Sequence, residues 1–564
     1  MKNKKNKLSN NFALVMLGLL SSSSLSFAAN FDALEQSQSS FDSLEQSLPE
    51  NAAGKPSILN SLQQSEVDSK KDRYFAVLNL LKQNKLNEAS TKIDALLKQS
   101  PNESQFHNLQ ALLEMLKKNP AGAQQSYQKA VDLDKSNLAA QLGLAKLALD
   151  AGELNKAKDY ADKVLAVNNK LASVYLMLAN IAYKQKNTAE VERILQDGHE
   201  KVKGNLDQEI ELVNTLGRLY VLQKQPEKLL VLVDDMVKRH NGDTRALSVL
   251  AGAQIVNTQT DLAEQTLKQI IKQNKSDINH RLLLIKVISE KPEKEKEVLQ
   301  ILEETSKIDA NNPQADVYKA AYFIKLKRNP EALAVAENIE KKFPKLAIGK
   351  LLKGDVFLSD KQWDKAVEQY QKVYKIEPNT QVLFKIADIL QSQNKLPEAI
   401  TLLDAESIKD NANPAIHFKL ATLYQQQNNL SQAQLHYEAI LNQQADNPLA
   451  LNNLAWLYSQ QNNPKSLELA KKAYALAPDA PAINDTYGYV LLKQGQTKEA
   501  LNILEKATVA APKDNDMQFH LAQAHVANDG KQKAIEILEN ITKSEQDFSE
   551  KSAAQKLLGQ LKAN

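Results

Sequence analysis

The sequence predicts an all-α protein: a superhelical solenoid of about fourteen stacked helix-turn-helix repeats, closed by a C-terminal capping helix. Three observations predict it. Small residues echo every 34 positions, at Ala89, Ala123, Ala157 and Val191, at Ala332 and Ala366, at Ala399 and Ala433, and at Ala500 and Ala534. A fixed period of this length marks an array of helical hairpins. The composition is dominated by Ala, Leu, Lys, Gln and Glu, with aromatics at only 5%, which favours helix over sheet. Finally, the sequence outside the repeats holds no block long enough for a separate catalytic domain. In such an array each repeat touches mainly its neighbours, so 564 residues need no central core.

The chain opens with an address. Residues 1–28 carry Lys2, Lys4, Lys5 and Lys7 and no acid, then an apolar run from Phe12 to Leu20, a serine-rich stretch, and Ser26-Phe27-Ala28. This is the charged, apolar and small-residue order of a secretory signal, with cleavage expected after Ala28. An uncleaved anchor is the other reading, but the apolar run is well short of the ~20 residues that span a bilayer. No later stretch reaches that length either, so the mature chain is expected to lack an integral membrane segment.

Residues 29–69 read as a flexible linker. Within it Phe31-Asp-Ala-Leu-Glu-Gln-Ser37 is repeated ten residues on as Phe41-Asp-Ser-Leu-Glu-Gln-Ser47. The duplicated unit reads either as a short amphipathic docking motif or as a plain tether, with too few apolar residues to order itself.

The array follows. In Pro481–Pro512, Tyr487, Gly488 and Leu491 share one face of a first helix, which Gly495 breaks. A second helix then carries Ala500, Leu504 and Ala507 as one apolar stripe, and Pro512 ends it. Gly488 and Ala500 let the two helices approach closely, where larger side chains would push them apart. The pattern resembles the tetratricopeptide repeat. It recurs at Ala111, Ala123, Tyr127 and Ala130; at Ala145, Ala157, Ala161 and Val164; at Gly354, Ala366, Tyr370, Val373 and Pro378; at Ala421, Ala433, Tyr437 and Ile440; at Ala455, Ser466, Ala470, Ala473 and Pro478; and at Ala522, Ala534, Leu538 and Ile541. The period slips once, to 38 residues between Val191 and Leu229, around Lys201–Asp207. It degenerates once, where Ile285 and Val298 replace both small residues. The expected organisation is an N-terminal array over 70–204, divergent repeats over 205–308, a C-terminal array over 309–548, and a capping helix and tail over 549–564.

Charge and residue types exclude several classes of function. Without residues 1–28 the chain holds 67 Lys+Arg against 68 Asp+Glu, a net −1. That lacks the basic excess of a nucleic-acid binder. There is no cysteine, hence no disulfide, thiolate metal site or cysteine nucleophile. The eight histidines, His107, His199, His240, His280, His417, His436, His520 and His525, are scattered, and His520 and His525 are five apart, off the i, i+4 spacing of a helical metal pair. Carboxylates sit among lysines, as in Glu293-Lys-Glu-Lys-Glu297, the pattern of a solvated helix face. No phosphate loop, nucleophile elbow or zincin motif occurs. No enzyme, cofactor or metal is expected.

The resemblance implies that the first helix of each unit lines a groove. Positions three before and one after the small residue should then face it. In the C-terminal units these are Asn452 and Trp456, Asp485 and Tyr489, and Phe519 and Gln523, with Lys493 one turn beyond Tyr489. Aromatics flanked by amides and an acid suit an extended peptide. The competing reading is that Trp456 and Tyr489 merely pack between repeats, as Trp363 is expected to do. The run Leu451-Asn-Asn-Leu-Ala-Trp456, Ala475-Leu-Ala-Pro-Asp479 and Asp485-Thr-Tyr-Gly-Tyr489 is similar to the tail of tetratricopeptide proteins of exosortase and exopolysaccharide systems in Gram-negative bacteria. That resemblance implies a periplasmic scaffold for protein partners in an envelope or exopolysaccharide machine, the alternative being a peptide-binding chaperone or adaptor for exported polypeptides, a pilus or a secretion system. If the N-terminus is a cleaved signal, mass spectrometry of the protein from an envelope fraction should find Ala29 as its first residue; a chain retaining Met1 contradicts the cleavage.

Overall fold

The computed structural model describes residues 71–409, 413–544 and 546–563. The signal segment with Ala28, the 29–69 linker and the duplicated motif lie outside the described residues. Among the described residues there are α-helices, one 3-10 turn at Pro292–Lys294 and no strand. A helix through 71–82 pairs with Leu86–Gln99. Thirteen further pairs follow, from Ser104–Leu116 with Pro120–Leu133 to Asn515–Ala527 with Lys531–Lys543, and Lys551–Ala563 closes the series. The fold is the tetratricopeptide solenoid that the period predicts.

The small residues are the contact between paired helices. Ala89, Ala123, Ala157, Ala366, Ala399, Ala433, Ala500 and Ala534 are all fully buried. A Cβ added at Gly354 would stand 2.7 Å from the Tyr370 ring, and one at Gly488 would stand 2.6 Å from the Leu504 side chain. Both helices of a pair therefore meet almost backbone to backbone, and the larger residues Tyr370, Tyr437 and Leu504 fill the space alongside. Trp363 packs, half-buried, against the core around Ala366 and Tyr370, as expected.

The turn within each pair is equally regular. In every pair but one, the second residue after the first helix adopts a left-handed conformation, as at Lys118 (φ 58°), Gly152 (φ 76°), Asn428 (φ 57°) and Gly495 (φ 76°). The backbone N–H groups there satisfy the orphan carbonyls of the helix end: Gly495 N donates to Leu492 O and Gln496 N to Leu491 O, both at 3.0 Å. The exception is the pair Ile278–Ile288 and Glu295–Ile308, where the 3-10 turn replaces the left-handed residue. It is the same unit that lacks both small residues, so the two departures occur together.

The chain divides into two compact units, with the boundary between Lys319 and Ala320. In the first unit, the slipped period lengthens Thr188–Val202 to 15 residues and Leu206–Leu222 to 17. This places Glu209 in a fully buried position. Its carboxylate accepts from Arg239 Nη2 at 2.7 Å, from His240 Nε2 at 2.9 Å and from the Gly204 backbone at 2.5 Å. Burial alone would raise its pKa, but these donors hold it below the usual carboxylate range. A buried ion is tolerated only when so paired. In the second unit, Lys551–Ala563 covers the last repeat, with Ala554 buried against Phe519, Ala534 and Leu538.

Gly354→Ala should gain ~1 kcal/mol of helix propensity yet lose ~1–3 kcal/mol to overpacking against Tyr370, for a net loss. Gly559→Ala, with no neighbour within 4 Å of the new Cβ, should instead stabilise the closing helix by about 0.5–1 kcal/mol. Native-state hydrogen exchange of the two helices reads both signs.

Candidate functional site

Within the second unit, successive first helices pack side by side, and a regular seam joins them. The residue one after the small position on one helix meets the residue two before it on the next. Asp355 receives Lys385 Nζ at 2.6 Å, and Asp388 receives Lys419 Nζ at 2.5 Å. At the end of the series the seam turns aromatic. Pro448–Gln460, Pro481–Lys493 and Asn515–Ala527 carry Trp456, Tyr489 and His520 in these places. The Trp456 and Tyr489 rings lie 4.8 Å apart, Tyr489 and His520 4.6 Å, and Trp456 and His520 5.8 Å. Trp456 and Tyr489 are half-buried, so they pack between repeats and still present surface.

Asp485 anchors this cluster from behind. Its two oxygens sit 2.9 and 3.0 Å from His520 Nδ1, and the other ring nitrogen is 3.4 Å from Glu550 Oε1. His520 is almost wholly buried. Burial alone would lower its pKa, but the Asp485 and Glu550 carboxylates outweigh that and raise it to about 9. An imidazolium thus lies against the aromatic rings at neutral pH, tied on one side to the segment that leads into the closing helix. Lys493 stands exposed with Nζ 5.5 Å from the Tyr489 centroid, and it donates to Ser459 O at 3.5 Å.

The structure therefore unites Trp456, Asp485, Tyr489 and Lys493. Asn452 lies buried one turn before Trp456, where its Nδ2 donates to Asn453 Oδ1 at 3.1 Å and its own Oδ1 has no partner. Gln523 is half-buried and makes no hydrogen bond to the cluster. Phe519 corrects the expectation: it is 1% exposed, packed with Ala534, Leu538 and Ala554, and faces no groove. Asn452 and Asp485, at the same position in the two preceding repeats, are buried as well, so the place three before the small residue lies on the packed side in all three; His520, two before it, is the residue that meets Tyr489 across the seam. Sequence reasoning missed His520 because it used the position three before the small residue throughout. The acid–lysine spacings Asp355/Lys385 and Asp388/Lys419, 30 and 31 residues, were a legible signal for the seam, since Tyr489 and His520 are also 31 apart. Among the described residues, no three metal-ligating side chains converge.

Two tetratricopeptide-repeat family models match the sequence, one over residues 114–170 and 491–561, the other over 76–137, 319–381 and 418–481. Together they span just over half of the chain, which is thus a tetratricopeptide-repeat protein. Such repeats generally form non-catalytic scaffolds that bind other proteins. No curated protein matches. Among solved structures the chain is similar to the APC/C hetero-tetramer Cut9-Hcn1, at 14% identity and a TM-score of 0.34 over 81% of this chain and 96% of that one. It is also similar to Naa15/Naa10 bound to HypK-THB, at 12% identity and a TM-score of 0.32 over 90% and 94%. Neither likeness carries an argument about function.

A histidine whose folded pKa is raised stabilises fully below its unfolded pKa, near 6.5, and that contribution fades as pH climbs through about 9. Hydrogen exchange in Lys551–Ala563, corrected for intrinsic base catalysis, should therefore accelerate between pH 7 and 10. His520→Asn should remove this dependence; an unchanged pH profile in that variant contradicts the role given to the imidazolium.

Proposed function

We propose that this protein is an exported, non-catalytic scaffold that holds partner proteins within an envelope or exopolysaccharide assembly or export machine. The observation that carries the reading is the half-buried Trp456–Tyr489 pair. It leaves aromatic surface open on a seam that ion pairs occupy in earlier repeats. Aromatic side chains in such settings carry a large share of protein–protein binding energy. A periplasmic location is supported by the basic, apolar and small-residue order of residues 1–28. The exopolysaccharide setting is supported by the motifs between Leu451 and Tyr489. The near-neutral charge favours protein partners over nucleic acid, and no cofactor is invoked. Among the described residues, no helix is long and apolar enough to cross a membrane.

One observation favours a second reading, a peptide-binding chaperone or adaptor for exported polypeptides, including those of a pilus or secretion system. Asn452 Oδ1 is buried without a partner beside Trp456, and a buried acceptor gains by receiving a peptide N–H. Gene deletion should lose surface polysaccharide or dissociate an envelope complex if the scaffold reading holds; a normal surface and intact complexes sink it. Trp456→Ala should weaken co-purification of the partner by about tenfold or more. Capture of many unrelated exported peptides, abolished by Trp456→Ala and Asp485→Ala, supports the second reading instead.

A further inference from the structure

The first unit carries a different inner seam. Three consecutive first helices, Ala172–Lys184, Leu206–Leu222 and Thr244–Val256, lie in register around Ala179, Gly217 and Ala251. By the register established in the second unit, the residue after the small position faces the neighbouring first helix, and the residue five after it stands where Lys493 stands over Tyr489. At the first of these places Arg218 is exposed, and the residue two before the next small position is Val249, not an acid. At the second, Leu222 is 58% exposed and Val256 44%. Tyr183 and Val221, four after their small residues, are exposed beside them. Gly252, next to Ala251, has nothing within 4 Å of where a Cβ would be, so the seam is open there.

This strip is apolar and positively charged. The last three turns of these helices contain no acid. Lys184 and Lys224 flank the apolar residues and Lys186 follows in the turn; all three are exposed, Lys186 and Lys224 on left-handed backbone at φ 59°. Among the described residues neither Arg218 nor any of these lysines makes an ion pair, whereas Asp355/Lys385 and Asp388/Lys419 neutralise the comparable seam in the second unit. Exposed apolar side chains beside unpaired cations call for an acidic, apolar occupant.

The chain itself contains such a segment. Residues 29–54 hold Asp32, Glu35, Asp42, Glu45 and Glu50 and no lysine or arginine. Four of those acids lie in the duplicated motif, each copy pairing a phenylalanine with a leucine three residues on: Phe31 with Leu34, and Phe41 with Leu44. We propose that these two acidic motifs, residues 31–37 and 41–47, dock in cis on the strip formed by Tyr183, Arg218, Val221, Leu222 and Val256. The connection allows it. Ser47 and residue 71 are separated by 24 residues, which extend to about 80 Å at most. Four helix-to-helix steps separate the array's first helix from Leu206–Leu222, roughly 40 Å at 8–10 Å each. The duplication then supplies two equivalent ligands for one strip, which raises the effective concentration of the bound form. This docking is independent of the aromatic cluster in the second unit.

The test uses the full mature chain, mixed as isotopically labelled and unlabelled copies, with a zero-length carbodiimide to join carboxylates to lysines. Cross-links from Asp32, Glu35, Asp42 or Glu45 to Lys184, Lys186 or Lys224 are expected within single copies. They should fall at least fivefold in Arg218→Glu/Leu222→Ser, and likewise in Phe31→Ser/Leu34→Ser/Phe41→Ser/Leu44→Ser. The altered array positions are solvent-exposed, and the motif variant leaves the array untouched, so each controls for misfolding of the other. Hydrogen exchange across residues 217–224 should rise in the motif variant. The proposal is overturned by the absence of these cross-links, by equal yields to lysines elsewhere in the array, by yields that neither variant changes, or by cross-links found only between copies.

Discussion

The structure depends on one contact: in most pairs a fully buried alanine or glycine on the first helix is opposed by another small residue on the second. At Gly354 and Gly488 there is no room for even one added carbon. That close approach sets the distance within a pair, and the distance fixes which flanking residues fill the remaining space, as Tyr370, Tyr437 and Leu504 do. Because each pair repeats this geometry, its first helix presents the same positions to the next first helix. The seam that carries acid–lysine pairs in the middle of the second unit and aromatic rings near its end is a consequence of that register.

Where the period breaks, the chain introduces buried charge. The four-residue slip before Leu229 brings Glu209 inside, held by Arg239, His240 and the Gly204 backbone. At the terminus, His520 is buried between Asp485 and Glu550. Removing one partner of such a pair is costly because the other is left uncompensated, so each network favours a single arrangement of its helices. The apolar stripes between them are interchangeable from repeat to repeat and do not discriminate among registers. Both networks thus specify what the repeat alone leaves degenerate: how an irregular hairpin seats and where the array stops.

The two inner seams differ in what they offer a ligand. Near the end of the second unit the charges are internally matched, and Trp456 and Tyr489 supply apolar surface over a fixed imidazolium. In the first unit Arg218 and its neighbouring lysines make no ion pair among the described residues, and the exposed surface beside them is mostly apolar. The same backbone register therefore supports two recognition chemistries, decided by the residue types at the positions one, four and five after the small one.

The sequence by itself determined the helical hairpins, their number and their pairing, because the small residues that permit the close approach recur at a period that cannot be mistaken. Gly495 and Pro512 marked turns directly. The left-handed turns at Lys118 and Lys186 were illegible, since lysine has no preference for that backbone and adopts it because the tight hairpin imposes it. Trp456, Asp485, Tyr489 and Lys493 were legible as neighbours because regular register carries one repeat's geometry to the next. Phe519 was not legible as a core residue: the position three before the small residue is buried in all three C-terminal repeats, while His520, one residue on, holds the regular seam position. The clustering of Trp456, Tyr489 and His520, and the burial of Glu209, were decided only by tertiary structure, since both arise from residues about 30 positions apart whose interaction depends on how neighbouring helices seat.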